Sequence, residues 1–192
     1  MNLIGTKELE TERLILRKVS VNDAEEAFVN WCNNPNVSKY TLWEPHKSVD
    51  TTKNLFKIWE NAYEQNDTFR WGVVLKSTNE LIGTIDVASK DWMRYGTVEI
   101  GYCYGEKFWH KGYAKEALKR VIKFLFEEVD LDLIYATYME ANPNSGRVMK
   151  SAGMKYEGFV RGRVLDHDGK RNNLHSYSIT KEEYLENKEF YN

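Results

Sequence analysis

Cysteine and recognisable metal-binding patterns are the first things that this sequence lacks. The chain has 192 residues but only two cysteines, Cys32 and Cys103, which are far apart and form no Cys-x-x-Cys motif. A disulfide framework or a cysteine-based zinc site therefore has no support. The four histidines also show no spacing typical of metal ligands, so we expect no bound metal.

A strong net charge and a long apolar run are lacking as well. The formal net charge is −2 and the basic residues are scattered, which gives no electrostatic case for nucleic-acid binding. No apolar run approaches the ~18 residues of a membrane-spanning helix, and the N-terminus has no basic-then-apolar signal. We therefore expect one soluble, cytoplasmic domain over residues 1–192, with neither nucleic acid nor a membrane as a partner.

The most informative stretch is residues 97–117, where a strand pattern gives way to a helix pattern. Val98, Ile100 and Tyr102 fall on one face of a strand by their period of two. From Ala114 onward, apolar residues recur at steps of 3, 4, 7, 8, 11, 12 and 15, which is the period of an amphipathic helix. Residues 109–114, Trp-His-Lys-Gly-Tyr-Ala, form the turn between the two, with one glycine just before the helix.

This turn has the local features of an anion site. The first backbone N–H groups of a helix lack intrahelical partners, and the helix dipole adds positive potential there. Lys111 and Lys115 add charge, while Gly112 allows backbone angles that a side chain would block. An ordinary strand–helix turn would look the same. The Gly-Lys-Ser/Thr of a P-loop and the Gly-x-Gly-x-x-Gly of a dinucleotide site are both absent.

The turn resembles the signature Q/R-x-x-G-x-G/A of the GNAT superfamily of acyl-CoA N-acyltransferases. Its first residue, Trp109, departs from Gln or Arg, but W-x-K-G-Y-A-x-E-A is similar to the ribosomal-protein N-terminal acetyltransferase (RimJ/RimL-like) branch. The opening T-E-R-L-I-L-R of residues 11–17 resembles a second motif of that branch. N-P-N-S-G-R-V at 142–148 with K-S-A-G-M at 150–154 resembles a third, with Met154 in place of Phe. The resemblance spans roughly residues 8–185.

The resemblance implies an α/β (α+β) fold of the GNAT type, with a mixed, splayed central sheet and helices on both faces. Periodicity predicts the matching order βααβββαβαββ. Helices are predicted over residues 23–31, 51–63, 114–129 and 144–152, with a last short one after the capping box of Thr180 and Glu183. Strands are predicted over residues 12–17, 69–75, 81–87, from 97, and over 133–139, 156–165 and 173–179.

The resemblance also implies acetyl-CoA as the co-substrate and suggests which residues bind it. The pyrophosphate would lie on the backbone of residues 110–114, and the pantetheine arm would pair with the strand like an added strand. A side chain at the start of the later short helix would also bond pantetheine. The expected cofactor-binding residues are Ile100, Gly101, Tyr102, His110, Lys111, Gly112, Tyr113, Ala114, Lys115 and Asn142.

The implied reaction is direct attack of an amine on the acetyl group, with Glu99 and Ser145 as the expected catalytic residues. Glu99 would accept the amine proton through a bridging water, and pairing with a basic side chain is the alternative. A backbone N–H near Ile100 would stabilise the carbonyl oxygen. Ser145 would protonate the leaving thiolate, although ordinary helix capping by Asn142 or Asn144 and by Ser145 is the alternative. Cys103 would permit an acyl-cysteine route, which the resembled family does not use.

The loop of residues 40–45 would cover the acceptor in the resembled family. Tyr40, Trp43 and Glu44 are therefore expected to contact the acceptor, and packing of Trp43 on the flank of the domain is the alternative. The resemblance favours the N-terminal α-amine of a protein, such as a ribosomal protein. A small-molecule amine (polyamine, amino acid or antibiotic), a CoA-binding module without turnover, and a homodimer stay open.

Overall fold

The computed structural model describes residues 1–91 and 93–192, and these form two compact units. The amino-terminal unit comprises residues 3–86 and 102–113. The carboxy-terminal unit comprises residues 1–2, 87–101 and 114–192.

The amino-terminal unit combines an antiparallel sheet with helices that follow its second strand. Its strands pair in chain order, β1 with β2, β2 with β3 and β3 with β4. The strands are Leu9–Glu10 (β1), Leu14–Arg17 (β2), Arg70–Leu75 (β3) and Glu80–Ser89 (β4). The helices are Ala24–Ala27 (α1), Pro35–Ser38 (α2) and Val49–Ala62 (α3), with 3-10 turns at Val21–Asp23 and Glu106–Phe108 and a π-helical turn at Phe28–Cys32.

Strands β2 to β4 form because their side chains are apolar where the sheet is buried. Leu14 and Leu16 are fully buried at alternate positions of β2, as a period of two predicts. The apolar runs at 69–75 and 81–87, with a short polar stretch between them, predict a hairpin, which is confirmed as β3 and β4. Its connection passes through Asn79 at φ +58°, a left-handed conformation that asparagine tolerates better than most residues.

The helix predicted over residues 23–31 is present as a continuous helical segment of mixed type. It begins after Ser20, whose backbone N–H donates to the Asp23 carboxylate at 2.8 Å. Arg17 donates to the same carboxylate, with Nη2 2.8 Å from Oδ1. At the other end of the segment, Trp31 and Cys32 are buried in the core of the unit. Local hydrogen bonds to Asp23 therefore fix the start of the segment, and packing in the core fixes its end.

Helix α3 confirms the helix predicted over residues 51–63, but one expected inward residue is wrong. Thr52 and Phe56 are buried one turn apart, and Trp59 packs partly against the same core. Leu55, Ile58, Trp59 and Ala62 recur at helical spacing, which predicts that they face inward, yet Ile58 is 65% exposed. Two residues turn an α-helix by about 200°, so Ile58 lies on the side opposite Phe56.

The carboxy-terminal unit carries a mixed sheet, as predicted. Strands β5 and β6 pair in parallel, whereas β6 with β8 and β8 with β7 pair antiparallel. The strands are Thr97–Tyr104 (β5), Leu133–Met139 (β6), Lys155–Leu165 (β7) and Arg171–Thr180 (β8). The helices are Tyr113–Glu127 (α4), Pro143–Ser151 (α5) and Lys181–Glu186 (α6), with 3-10 turns at Met93–Tyr95 and Lys188–Tyr191.

Helix α4 makes the parallel pair possible, because parallel strands need a long crossover connection. Its start lies one residue before, and its end two residues before, the bounds predicted from periodicity. Five apolar side chains of one face are fully buried, namely Ala117, Leu118, Val121, Ile122 and Leu125. This burial fixes the helix and so the position of its first turn.

Strand β6 has one apolar and one polar face. Ile134 and Ala136 are fully buried, whereas Tyr135 and Thr137 on the other face are half-buried. The parallel register places Glu99 of β5 directly beside Tyr135. Since alternate residues of a strand share a face, Glu99, Tyr135 and Thr137 form part of one polar surface.

Sequence patterns predict the longer elements and fail for the shortest ones. Strand β6 matches its predicted bounds, and the capping box of Thr180 and Glu183 starts α6 as predicted. Strand β1 and helix α2 were not predicted, because elements of two and four residues show no period. In the described part of the chain, no helix has both the length and the apolar character that crossing a membrane requires.

Candidate active site

The turn of residues 109–112 has the left-handed glycine that the sequence predicts. Gly112 has φ +81°, a conformation that glycine adopts without strain. A Cβ at this position would meet only Arg13 Nη2, at 3.4 Å, so the backbone angle rather than space requires glycine. His110 is also left-handed, with φ +60°. The two residues turn the chain sharply into α4, which begins at Tyr113.

Arg13 holds this turn in place, a role that sequence reasoning missed. Its Nη1 donates to the Lys111 carbonyl oxygen at 3.0 Å, and its guanidinium lies 4.7 Å from the centroid of the Tyr113 ring. Trp109 fixes the beginning of the turn, since its Nε1 donates to the Tyr104 carbonyl oxygen at 2.8 Å. The available signal was the opening motif at residues 11–17, which contains Arg13 but does not say what it contacts.

The surroundings of the turn suit an anion. Lys111, Gly112 and Lys115 are exposed, so the turn backbone and both ammonium groups reach solvent. The N–H groups of residues 113–115 belong to the first turn of α4 and have no partner within the helix. Together with the helix dipole, these groups would hold a pyrophosphate. The cofactor-binding role of His110, Lys111, Gly112, Tyr113, Ala114 and Lys115 stays a prediction.

Strand β5 continues beyond its parallel partner. The ladder joins Thr97, Val98 and Glu99 to residues of β6 and ends there, although β5 runs on to Tyr104. Ile100 and Gly101 follow the last paired residue, and the side chain of Ile100 is buried. The pairing of Ile100, Gly101 and Tyr102 with an extended ligand stays a prediction.

Glu99 is held by hydroxyl groups rather than by a cation. Thr137 Oγ1 donates to Glu99 Oε1 at 2.8 Å, and Tyr135 also hydrogen-bonds to this carboxylate. Burial raises the pKa of Tyr135, and the nearby charge of Glu99 adds to the rise. Among the described residues, no basic side chain forms an ion pair with Glu99. The alternative interpretation of Glu99 required such an ion pair. The carboxylate is half-buried, fixed in position and able to meet solvent.

Asn142 and Ser145 lie at the start of α5. Asn142 occupies the position before the first helical residue, but its side chain makes no capping hydrogen bond. The capping role is left to its backbone, whose carbonyl oxygen accepts from the Ser145 N–H at 3.1 Å. The Asn142 amide thus remains available for a ligand, and Ser145 is half-buried one turn into the helix.

Cys32 is buried and Cys103 is half-buried, and neither thiol is activated. Burial raises the pKa of Cys103 far above its usual value and that of Cys32 to about 12. Because the thiolate is the nucleophilic form, the acyl-cysteine route loses its chemical basis. Within residues 1–91 and 93–192, no three Cys, His, Asp or Glu side chains are grouped as metal ligands would be.

The loop that contains the three expected acceptor residues lies between α2 and α3. Trp43 packs partly against the core of the amino-terminal unit and meets His46 edge-on, with ring centroids 5.8 Å apart. Tyr40 is half-buried and Glu44 is exposed. The packing of Trp43 matches the alternative interpretation, while the acceptor-binding role of all three residues stays a prediction.

A half-buried ion pair in the amino-terminal unit was not predicted. Arg70 Nε donates to Asp86 Oδ2 at 2.8 Å, and the Arg70 guanidinium lies 4.4 Å from the Trp59 ring centroid. Burial raises the pKa of Asp86 despite its cationic partner. The Tyr63 hydroxyl donates to the Arg70 carbonyl oxygen at 3.1 Å. Only the β3–β4 register places Arg70 opposite Asp86, and sequence pattern does not determine that register.

Comparison with known proteins agrees with the resemblance of the turn at residues 109–114 to an acetyltransferase motif. Residues 13–155 match the family model of the acetyltransferase (GNAT) domain. YoaA, an uncharacterized N-acetyltransferase of Bacillus subtilis, is 31% identical over 173 residues, which are 90% of this chain and 96% of the relative. The ribosomal protein uS5-alanine N-acetyltransferase of Escherichia coli is 26% identical over 162 residues, which are 82% of each chain.

A solved structure shows the same similarity at the level of the fold. An acetyltransferase of the GNAT family from Bacillus anthracis has a TM-score of 0.78 and is 28% identical to this chain. The alignment covers 92% of this chain and 99% of the other. The match therefore extends over nearly the whole length of both proteins.

Proposed function

Because this chain belongs to the GNAT family of N-acetyltransferases, we propose that it transfers the acetyl group of acetyl-CoA to the N-terminal α-amino group of a protein. The acceptor that we favour is a ribosomal protein in the cytoplasm. The relative from Escherichia coli supports this choice, since its name gives the alanine of ribosomal protein uS5 as its acceptor. The observation that carries the proposal is Glu99, a half-buried carboxylate held by two hydroxyl groups on the polar face of the sheet.

The pKa of the acceptor amine determines how much general-base catalysis the reaction needs. An amine attacks only in its neutral form, and an α-amino group has a pKa of about 7.7–8.0. About a tenth of it is neutral at pH 7, against about one part in 2,500 for a lysine amine of pKa ~10.4. A single carboxylate that accepts a proton through water is sufficient for an α-amine. The arrangement around Glu99 fits that modest demand.

Other residues of the chain would bind the cofactor, stabilise the thioester oxygen and transfer protons. Bound acetyl-CoA supplies an activated acetyl thioester. The backbone N–H groups of residues 112–115 would hold its pyrophosphate, and the Asn142 amide would hold its pantetheine arm. A backbone N–H near Ile100 would donate to the thioester oxygen, where one such donor is worth roughly 3–4 kcal/mol in other enzymes. Glu99 would take the amine proton, and Ser145 would give a proton to the departing sulfur.

The proposal is tested by thiol release from acetyl-CoA across a panel of amines. The panel contains peptides with a free N-terminus, the same peptides with a blocked N-terminus, polyamines, amino acids and aminoglycosides. We expect turnover on a free N-terminus that disappears when that terminus is blocked. Turnover on a small amine alone would contradict the proposed acceptor and would favour the small-molecule alternative.

A further inference from the structure

An exposed aromatic ring lies beside the first two turns of α4 in the carboxy-terminal unit. The Phe190 residue is 42% exposed. Lys119 Nζ lies 4.0 Å from the centroid of its ring, and Lys115 Nζ lies 5.9 Å from it. The two ammonium groups and the ring therefore form one small surface, called here the Phe190 platform.

The platform is held in place by the residue that follows Phe190. The Tyr191 hydroxyl is buried and donates to the Ala152 carbonyl oxygen at 3.0 Å, and its ring packs on Tyr184 with centroids 5.1 Å apart. Gly153 allows this close approach, since a Cβ there would lie 2.3 Å from the Tyr191 hydroxyl and 3.2 Å from Phe190 Cε1. The buried contacts of the neighbouring Tyr191 thus fix the position of the Phe190 ring.

The charges of the platform are not balanced by the protein. Lys115 and Lys119 are four residues apart on one helix, a spacing at which like charges repel. Burial lowers the pKa of Lys119, and the charge of Lys115 lowers it further. Among the described residues, neither lysine forms an ion pair with a carboxylate. By contrast, three other lysines of the same unit are paired, namely Lys155 with Glu183, Lys181 with Asp130 and Lys188 with Glu127.

These features fit a phosphate that is attached to a flat ring. The adenosine of CoA carries a 3′-phosphate, one ribose away from the pyrophosphate. Lys119 lies four residues beyond Lys115, which is about 6 Å along the helix axis at 1.5 Å per residue. We propose that Lys115 and Lys119 bind the 3′-phosphate of CoA and that the adenine ring stacks on Phe190. The inference rests on the proposed function, because it assumes that the pyrophosphate binds at the start of α4.

The experiment is isothermal titration of the full chain with CoA and with 3′-dephospho-CoA, which lacks only the 3′-phosphate. We expect the protein to bind CoA about tenfold more tightly than dephospho-CoA, as loss of a charge-assisted contact predicts. Lys119→Ala should remove this preference by weakening CoA alone. Phe190→Ala should weaken both ligands to a similar extent, because both carry adenine. Lys170→Ala is the control, since it removes the same charge from the exposed turn between β7 and β8 and should leave both affinities unchanged.

The outcomes separate this inference from the proposed function. Equal affinity for the two ligands in a protein that still acetylates its acceptor would overturn the 3′-phosphate site alone. Weakening of both ligands by Lys119→Ala would also overturn it. Binding of inorganic phosphate to the CoA-saturated protein, lost in Lys119→Ala, would show that the lysines are free in the complex and contradict the assignment. Failure of the protein to bind either ligand would contradict the proposed function and this inference together.

Discussion

Replacing Glu99 with glutamine is the perturbation that isolates the proposed base. The amide keeps the shape of the side chain and an oxygen that can accept from Thr137, whose hydroxyl lies 2.8 Å from Glu99 Oε1. The folding free energy should therefore change by no more than about 1 kcal/mol, the difference between a charged and a neutral acceptor. A glutamine cannot take a proton, and loss of a general base costs about 10²- to 10⁴-fold in rate.

For Glu99, the lower end of this roughly 10²- to 10⁴-fold loss of rate applies. An α-amine is already about a tenth neutral at pH 7, so the base has little deprotonation to perform. We expect Glu99→Gln to lower kcat about 100-fold, which corresponds to about 2.7 kcal/mol in the barrier. The affinity for acetyl-CoA should stay the same, because Glu99 is not among the residues expected to hold the cofactor.

The assay is thiol release with a peptide acceptor, together with calorimetric binding of acetyl-CoA. Glu157→Gln is a matched control, because Glu157 also accepts from two hydroxyl groups, Ser176 at 3.1 Å and Ser178 at 2.6 Å. This control should keep the turnover of the unmodified protein. Unchanged turnover in Glu99→Gln, or an equal loss in both variants, would refute the assignment of Glu99 as the base.

Three further predictions concern the turn and the fold. Gly112→Asp should weaken acetyl-CoA binding about tenfold or more by placing a charge beside the pyrophosphate, and Gly112→Asn, which lacks the charge, should weaken it less, as calorimetry would show. Arg13→Lys should raise the KM for acetyl-CoA several-fold with little change in kcat, because it removes the guanidinium group that donates to the turn at Lys111. An unchanged KM would contradict this role. Burial alone would raise the pKa of Asp23, but hydrogen bonds from Arg17 and Ser20 hold it below its usual value. Its stabilisation is therefore present above the unfolded pKa of about 3.9 and lost as pH falls through the folded pKa. Asp23→Asn should lower the free energy of unfolding in urea by about 1–2 kcal/mol at pH 7 and by far less at pH 2, and an equal loss at both would contradict the assignment.

The elements with a long, regular pattern could be predicted closely from the sequence. Helix α4 has a stripe of buried apolar residues from Ala117 to Phe126, and the periodicity alone placed its start within one residue. Strand β6 matched its predicted bounds because four of its seven residues are β-branched or aromatic and the polar residues Asp132 and Glu140 flank it. In α3 the same method put Ile58 on the wrong face. An apolar residue on a helix surface looks like a core residue until its neighbours in space are known.

The candidate site was predictable where it depends on local backbone chemistry. Gly112 precedes a helix, and its left-handed angle follows from the turn that the sequence requires there. The contacts of Arg13 and Thr137 were missed because each joins parts of the chain that only the fold brings together. Arg13 contacts a residue 98 positions away, and Thr137 contacts one 38 positions away. Pattern and propensity carry no information about such pairs.

The measurement that tests the central claim most directly is the position of the transferred acetyl group. A peptide with one free α-amine and one lysine is incubated with the protein and acetyl-CoA at pH 7, and the product is sequenced by tandem mass spectrometry. We predict a single acetyl group on the N-terminal nitrogen. An acetyl group found only on the lysine side chain would contradict the account.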